Sequence, residues 1–600
     1  MCGIAGIVGL HPVPGREELV GRMLEALGHR GPDDRGIWSA RGEEAALGSC
    51  RLSILDLSAA GHQPMVTSDY AISYNGEIYN FAELRRELEA DGVEFCSQSD
   101  TEVVLRAWER WGEKSLERFN GMFAFFILDR RRRRGHLVRD RLGIKPCFYS
   151  LAEGRLIFAS EAKAFYRLPP RFWQPQTDEK ALESLLSFQF LPNPEKTPFR
   201  NLSRLPPGHL LEYDLEKGEG CCRRHYRLES SPHIPTDRKR AVKEARDILT
   251  DSVKLRLRAD VPVGILLSGG LDSSLIAALA AQEHPEPIQT FTAGFRHRLD
   301  ERPQARLVAR AIGSEHHEVE LDPAEMNRRI EEVIPVFDAL TSLDAGIFTI
   351  YFILEKLKKY RAKVLLVGEG ADETFGGYSW FRLSRPPLSL LPLRVRTSLH
   401  HYAISRMLRQ GAPGRRLLHE QVVRGGEGDI FRQVSRWEIE TQLPSHYLMK
   451  VDHATMAHST EARVPYLDHR LVEFAFGLPG CWKFAGSAFT PGGEKAFLRQ
   501  LAAGLLPAET AARPKLGFPL SMGDVLKSNR DKVLDSLLAE TGFARSRFSR
   551  SRIERMAEFK PRMYSPWEKE KEFLLWKLFL IETWQHWVRE TRKNAERDDD

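Results

Sequence analysis

Two stretches of the chain carry residue types that do chemistry: Cys2, in Met1-Cys2-Gly3-Ile4-Ala5-Gly6, and the run Ser268-Gly269-Gly270-Leu271-Asp272-Ser273-Ser274. A small residue after Met favours removal of the Met, which is expected to leave Cys2 with a thiol and a free α-amine on one residue. A thiol titrates near about 8.5 and an α-amine near about 8, so the amine can take the thiol proton close to neutral pH. Nucleophile and base then arrive together, and no histidine is required. The plain alternative is a small buried hydrophobe.

The second run follows the apolar stretch 261–267 and opens a helical pattern. Two glycines let backbone N–H groups close on an anion. Ser268, Ser273 and Ser274 add hydroxyls, and the helix N-terminus adds its dipole. Asp272 would repel a phosphate alone, but it makes sense if a divalent cation bridges the two. A second acidic loop, Gly368-Glu369-Gly370-Ala371-Asp372-Glu373-Thr374-Phe375-Gly376-Gly377-Tyr378, follows the apolar run 363–367. Strand ends of this kind line the ligand crevice of a parallel sheet. The plain readings are a capping turn and a Gly-rich acidic loop.

These residues need scaffolds of two kinds. Residues 1–165 hold short apolar runs at 4–10, 71–75, 122–128 and 156–159, bounded by Gly, Asp and Asn, with helical spacing at 81–90 and 101–111. This predicts antiparallel sheets with covering helices. A boundary falls between about 210 and 240. Beyond it, strands at 261–267, 288–295 and 363–367 alternate with helices at 272–282, 304–312 and 347–359, the pattern of a doubly wound parallel sheet. The chain past 380 reads as mostly helical. The predicted units are 2–215 and 235–585, with 586–600 a frayed tail.

Six hundred residues exceed what a single core usually serves. No run of eighteen apolar residues predicts a membrane span, and the start lacks the pattern of a signal peptide. Seven scattered Cys without a CxxC pair predict reduced thiols in the cytoplasm, not a disulfide framework or zinc site. A net charge of +6, from 88 basic and 82 acidic residues, does not argue for nucleic acid. The basic run 130–134 reads as a solvated hairpin turn.

The phosphate loop resembles that of the ATP pyrophosphatases. Together with Cys2, the chain resembles the glutamine-dependent asparagine synthetases of the AsnB type, over roughly residues 1–580 and through at least seven motifs in order. The resemblance implies an N-terminal Ntn-type αββα sandwich and a C-terminal doubly wound α/β ATP-pyrophosphatase domain with added helices. The implied substrates are glutamine, aspartate and ATP, with Mg²⁺ as cofactor.

Attack of a thiolate on glutamine's amide needs holders for its α-carboxylate and α-amine, and donors for the oxyanion. Arg51 suits the carboxylate and Asp100 the amine, while Asn75 and Gly76 can serve the oxyanion. The family pattern agrees and adds Glu77 to glutamine binding, with His29-Arg30-Gly31-Pro32-Asp33 beside the site. It also implies that Asp272 and Asp372 share Mg²⁺, that Glu369 lies near acceptor and AMP, and that Lys495 stabilises the transferring phosphates. Leu266, Ala293 and Gly368 match adenosine contacts, and Val367 sits beside them. Tyr447-Leu448-Met449-Lys450-Val451-Asp452, 461–468 and 513–518 are further matching segments. Free ammonia in neutral water is mostly ammonium, so the resemblance implies an enclosed passage between the two sites.

Two departures bear on the acceptor. Val367 stands where the family usually has Ser, and the stretch 337–344 differs from family versions. Aspartate is the implied acceptor, and carboxylates on sugars or natural products remain open. An RNA-modifying pyrophosphatase and a non-catalytic scaffold are readings of other classes. A homodimer also stays open.

Overall fold

Two six-stranded antiparallel sheets face each other in the first unit. In one, the order is Ser203–Arg204, Phe148–Ala152, Arg155–Ala159, Cys2–Gly9, Ala45–Arg51 and Asp34–Ser39. In the other it is Glu219–Arg224, His209–Asp214, Arg134–Arg139, Gly121–Asp129, Tyr70–Ile78 and Met65–Val66. This computed structural model describes residues 2–597 except 11–14, 41–43, 296–299, 379–380, 382–384, 386, 392–394, 396–429, 488, 490–491, 514–521 and 559–565. Ile4, Val8, Leu47, Ala71, Phe126 and Phe158 fill the space between the sheets. The helix Arg16–Leu27 covers the first sheet through Leu19, Val20 and Met23. The helices Phe81–Ala90 and Asp100–Trp111 cover the second through Leu84, Val104 and Trp108. The result is the expected αββα sandwich.

The strand Cys2–Gly9 is buried at all eight positions because the partner sheet lies on one face and the helix Arg16–Leu27 on the other. Its glycines answer that crowding. A Cβ on Gly6 would lie 2.3 Å from the Phe158 ring. The basic run 130–134 turns between two strands as expected, with Arg131 on Asp69 and Arg133 on Glu44. Glu219–Arg224 carries the unit past the predicted end at 215. As an edge strand it is mostly exposed, so it lacked the apolar alternation that marks a half-buried strand.

The second unit is built on five parallel strands, in the order Glu315–Glu320, Gln289–Gly294, Val263–Leu266, Val364–Leu366 and Glu461–Arg463. Ile265 and Leu366 pack against the helices Arg238–Arg256, Leu271–Glu283 and Arg302–Ile312. Leu365 and Leu266 face the other way, toward Gly346–Leu357 and Leu448–Met456. The fifth strand was read from sequence only as a family motif. Its Glu and Arg are ion-paired to each other and fully buried, so composition gave no strand signal.

The predicted tail is corrected. A helix runs from Pro566 to Arg597, and Val588 and Ala595 on it are buried. Only 598–600 lie outside the described residues. This helix binds both units: Trp584 packs on Phe199 at 5.3 Å, and Trp576 Nε1 donates to Leu343 O at 3.1 Å. No described helix is long and apolar enough to cross a membrane. Trp584→Ala removes a large, fully buried ring and a donor to Asp338 O. It is expected to cost about 3–5 kcal/mol in a denaturant titration. A loss below about 1 kcal/mol would show that the helix does not bear on the fold.

Candidate functional site

Cys2 opens its strand with the thiol buried against the second sheet, and it is 5% exposed. Its backbone N–H donates to Asn75 Oδ1 at 3.1 Å. The amide thus presents Nδ2, a buried donor with no hydrogen-bond partner among the described residues. An unmet buried donor beside a nucleophile suits an oxyanion, because leaving it unmet is costly. Gly76 follows, where a Cβ would lie 2.4 Å from Met122 O. Burial pushes the Cys2 thiol up, and the nearby chain-terminal ammonium opposes it. Gln63, not singled out in the sequence, lies 3.7 Å from Sγ through Nε2 and holds Tyr74 N and Thr101 Oγ1 with its amide. No motif marked it.

The other expected glutamine holders sit close by, but with prior engagements. Asp100 Oδ2 accepts from Tyr74 Oη at 2.8 Å and from Ile78 N at 3.0 Å. Ser99, one residue earlier, caps the helix Asp100–Trp111 by accepting from Thr101 N. Arg51 does not present an open fork. Its Nη1 donates to Ser58 O, and its Nη2 to Leu55 O and Asp56 O, so it holds the loop below the site. Glu77 shares a strand face with Asn75 yet points across the unit boundary, 3.4 Å from Arg463 Nη2. Burial raises its carboxyl well above the usual range, Asp100 adds to this, and Arg463 opposes it.

The second site is a cavity of about 400 Å³ at the C-terminal ends of the parallel strands. Leu266, Ser268, Asp272, Ser273, Ala293, Val367, Gly368, Glu369 and Asp372, all named from the sequence or the family pattern, line it together. Gly269 and Gly270 shape the loop from behind. Gly269 has φ 70°, and Gly270 leads into the helix Leu271–Glu283. Ser268 Oγ and Ser273 Oγ share a hydrogen bond at 3.0 Å. Ser274 departs from expectation: it is fully buried on the helix and does not line the cavity.

Lys495 Nζ lies 2.6 Å from Asp272 Oδ2 and 2.7 Å from Asp372 Oδ1. It is 5% exposed, not the solvated helix lysine that its local sequence suggests. Burial pushes its pKa down, and the two aspartates more than reverse this, so it stays protonated. The two carboxylates that meet at Lys495 Nζ are hard oxygen donors of the kind Mg²⁺ takes, so this donor set fits that ion. At the far wall, Lys450 Nζ lies 3.0 Å from Asp344 and 5.2 Å from the Tyr447 ring, which stacks on Tyr378. Burial raises the Glu369 carboxyl, and Lys450 is the largest charge opposing it. Asp344 belongs to the divergent stretch 337–344, which therefore does reach the cavity's cation. In the same stretch, the Asp338 carboxylate accepts from Ala162 N and Lys163 N, clamping one unit to the other. Residues 514–518 of the last expected motif lie outside the described residues.

Two family models match in order: a glutamine amidotransferase domain over residues 1–226 and asparagine synthase over 244–589. The chain belongs to the asparagine synthase family. It is 32% identical over 593 residues to asparagine synthetase [glutamine-hydrolyzing] 1 of Bacillus subtilis (strain 168), covering 90% of each chain. A putative asparagine synthetase [glutamine-hydrolyzing] of Mycobacterium bovis is 33% identical over 565 residues, covering 85% of each. An amidase of Gibberella zeae is more distant, 26% identical over 585 residues, covering 81% of this chain and 84% of that one.

In this asparagine synthase site, Gly377 leaves room for the aspartate–lysine cluster. A Cβ there would sit 1.7 Å from Asp372 Oδ1 and 2.2 Å from Lys495 Cε. Gly377→Ala is expected to cut ATP-dependent pyrophosphate release about a hundredfold by displacing that cluster. Unchanged pyrophosphate release would show that Asp372 and Lys495 need not hold this geometry.

Proposed function

We propose that the chain is a cytoplasmic, glutamine-dependent asparagine synthetase that uses ATP and Mg²⁺. The observation that supports this most strongly is Cys2 set against the unmet amide donor of Asn75, in a chain whose other unit holds the Lys495-bridged aspartates. Removal of Met1 frees the Cys2 α-amine, which takes the thiol proton as sulfur attacks the side-chain carbonyl of glutamine. Asn75 Nδ2 and the Gly76 N–H receive the oxyanion. Collapse to the thioester expels ammonia, which carries away the proton held by the amine. Water then releases glutamate. Asp100 holds the glutamine α-amine with its remaining oxygen. Arg51 and Glu77 act from one step further out, by fixing the loop and the unit boundary.

In the second unit, Ser268, Gly269, Gly270 and Ser273 cradle the phosphates, and Leu266, Ala293, Val367 and Gly368 hold the nucleoside. The β-carboxylate of aspartate, placed by Glu369 and Lys450, attacks the α-phosphorus, and pyrophosphate leaves. Lys495 neutralises charge on the transferring group. Mg²⁺, held by Asp272 and Asp372, supplies charge neutralisation to the triphosphate when bound. Ammonia then attacks the aspartyl-AMP, and AMP leaves with the oxygen. Val367 favours a second reading. It puts an apolar wall where the family usually has a hydroxyl, and this suits an acceptor carboxylate with a less polar body.

Cys2→Ala is expected to lose glutamine-dependent amide formation and keep it with ammonium salts. Failure of ammonium to rescue a folded variant would contradict the division of labour. Asn75→Ala is expected to lower kcat for glutamine hydrolysis by about 10²–10³-fold. A loss under about tenfold would remove Asn75 from the oxyanion site.

A further inference from the structure

Glu301 lines the nucleotide cavity beside Ser268, Thr292 and Ala293, and it is only 8% exposed. It immediately precedes the helix Arg302–Ile312, where a short acidic or hydroxyl side chain ordinarily caps the first turn. Its carboxyl makes no capping bond, and Oε2 has no hydrogen-bond partner among the described residues. The neighbouring acids are already engaged. Asp300 takes Arg302 through both oxygens, and Glu320 takes the same guanidinium at 3.2 Å. The first turn of this helix packs on the phosphate loop: a Cβ on Gly269 would lie 2.6 Å from Ala305 N. Glu301 therefore enters the cavity about one turn from the loop that receives phosphate.

An ionised carboxylate is costly there, because it is buried, has Oε2 without a hydrogen-bond partner among the described residues and faces the seat of a triphosphate. Burial pushes its pKa up to about 7, with Arg513 opposing and Asp300 adding; among the described residues these are the charges that bear on it. A bound triphosphate pushes in the same direction as Asp300. Phosphoryl oxygens only accept hydrogen bonds, whereas a neutral carboxylic acid has one O–H to give.

We propose that Glu301 is a nucleotide-binding residue whose carboxylic acid donates a hydrogen bond to a phosphoryl oxygen of ATP. The proposal rests on the reading of this cavity as an ATP site and adds a residue to it. Because the acid form is the one that binds, affinity is full below the pKa of Glu301 and falls as pH rises through it. If only that form binds, a pKa of about 7 midway between them makes the loss about tenfold from pH 6 to pH 8. Glutamine at this position cannot ionise and still offers an N–H, so Glu301→Gln mimics the bound form.

The test is calorimetric titration of MgATP, without acceptor or glutamine, into wild type, Glu301→Gln and Glu301→Ala. Each is run at pH 6 and pH 8 in buffers of different ionisation heat. Comparison with Glu301→Gln cancels the proton chemistry of ATP itself. Wild type is expected to take up close to one extra proton at pH 8 and to lose about tenfold more affinity from pH 6 to pH 8 than Glu301→Gln. Glu301→Gln should match wild type at pH 6, and Glu301→Ala should be weaker at both. Three results would overturn the proposal. The first is Glu301→Ala equal to wild type throughout. The second is wild type binding more tightly as pH rises while Glu301→Gln is weak at both, which makes the carboxylate an acceptor for a nucleoside hydroxyl or amine. Absence of ATP binding by wild type would overturn this proposal together with the ATP reading, whereas the other two results leave that reading standing.

Discussion

One buried guanidinium joins the two halves of the chemistry. Arg30 is fully buried, and its Nε donates to Cys2 O at 3.2 Å. Its Nη1 donates to Glu161 Oε1 at 2.6 Å, and its Nη2 lies 2.9 Å from Asp452 Oδ2. Asp452 sits on the helix Leu448–Met456, which also lends Lys450, Val451 and Thr455 to the cavity at the parallel strand ends. The backbone of Cys2 and the wall of that cavity are thus held by one cation. Taking that cation out of water is repaid only while both carboxylates stay in place, and losing one partner of such a pair costs about 3–5 kcal/mol. This makes the boundary between the units rigid rather than a loose hinge.

The rest of the boundary follows the same rule of matched buried charge. Arg463 takes Glu461 and approaches Glu77, while its Nη1 donates to the carbonyls of Arg256 and Arg258. Arg256 pairs with Asp468, which also accepts from Asn120 of the first unit. Lys495 is a third case, held between Asp272 and Asp372, which line the cavity. The acidic loop and the phosphate loop would repel each other without it.

Local chemistry was legible in the sequence where the backbone demanded particular residues. The helix at 81–90 was read to the residue, and the glycines and serines of 268–273 announced a phosphate loop because few other turns need them together. Asn75 stood out in the sequence because a side-chain amide before a glycine can serve an oxyanion, and the structure sets it 3.1 Å from Cys2 N. Long-range partners could not be read. Whether Arg51 faces solvent, substrate or three carbonyls depends on a loop that returns seven residues later. Glu77 was assigned to glutamine binding by the family pattern alone, and its neighbour Arg463, 386 positions away in sequence, carries no local mark of that contact. Glu301 was passed over for a similar reason: its isolation comes from the packing of Gly269 against its helix. The last turns of the final helix were missed because its ending, Arg597-Asp598-Asp599-Asp600, is charged enough to look solvated, although Ala595 just before it is buried.

The central claim is that nitrogen freed at Cys2 is captured by an acyl group charged with AMP in the same chain. It is tested most directly by supplying glutamine labelled with ¹⁵N in its side-chain amide, together with aspartate and ATP, and measuring label in the product beside the AMP and glutamate formed. The expected result is an amide carrying the label, with one AMP and at least one glutamate for each amide. An unlabelled amide, or ADP in place of AMP, would contradict it.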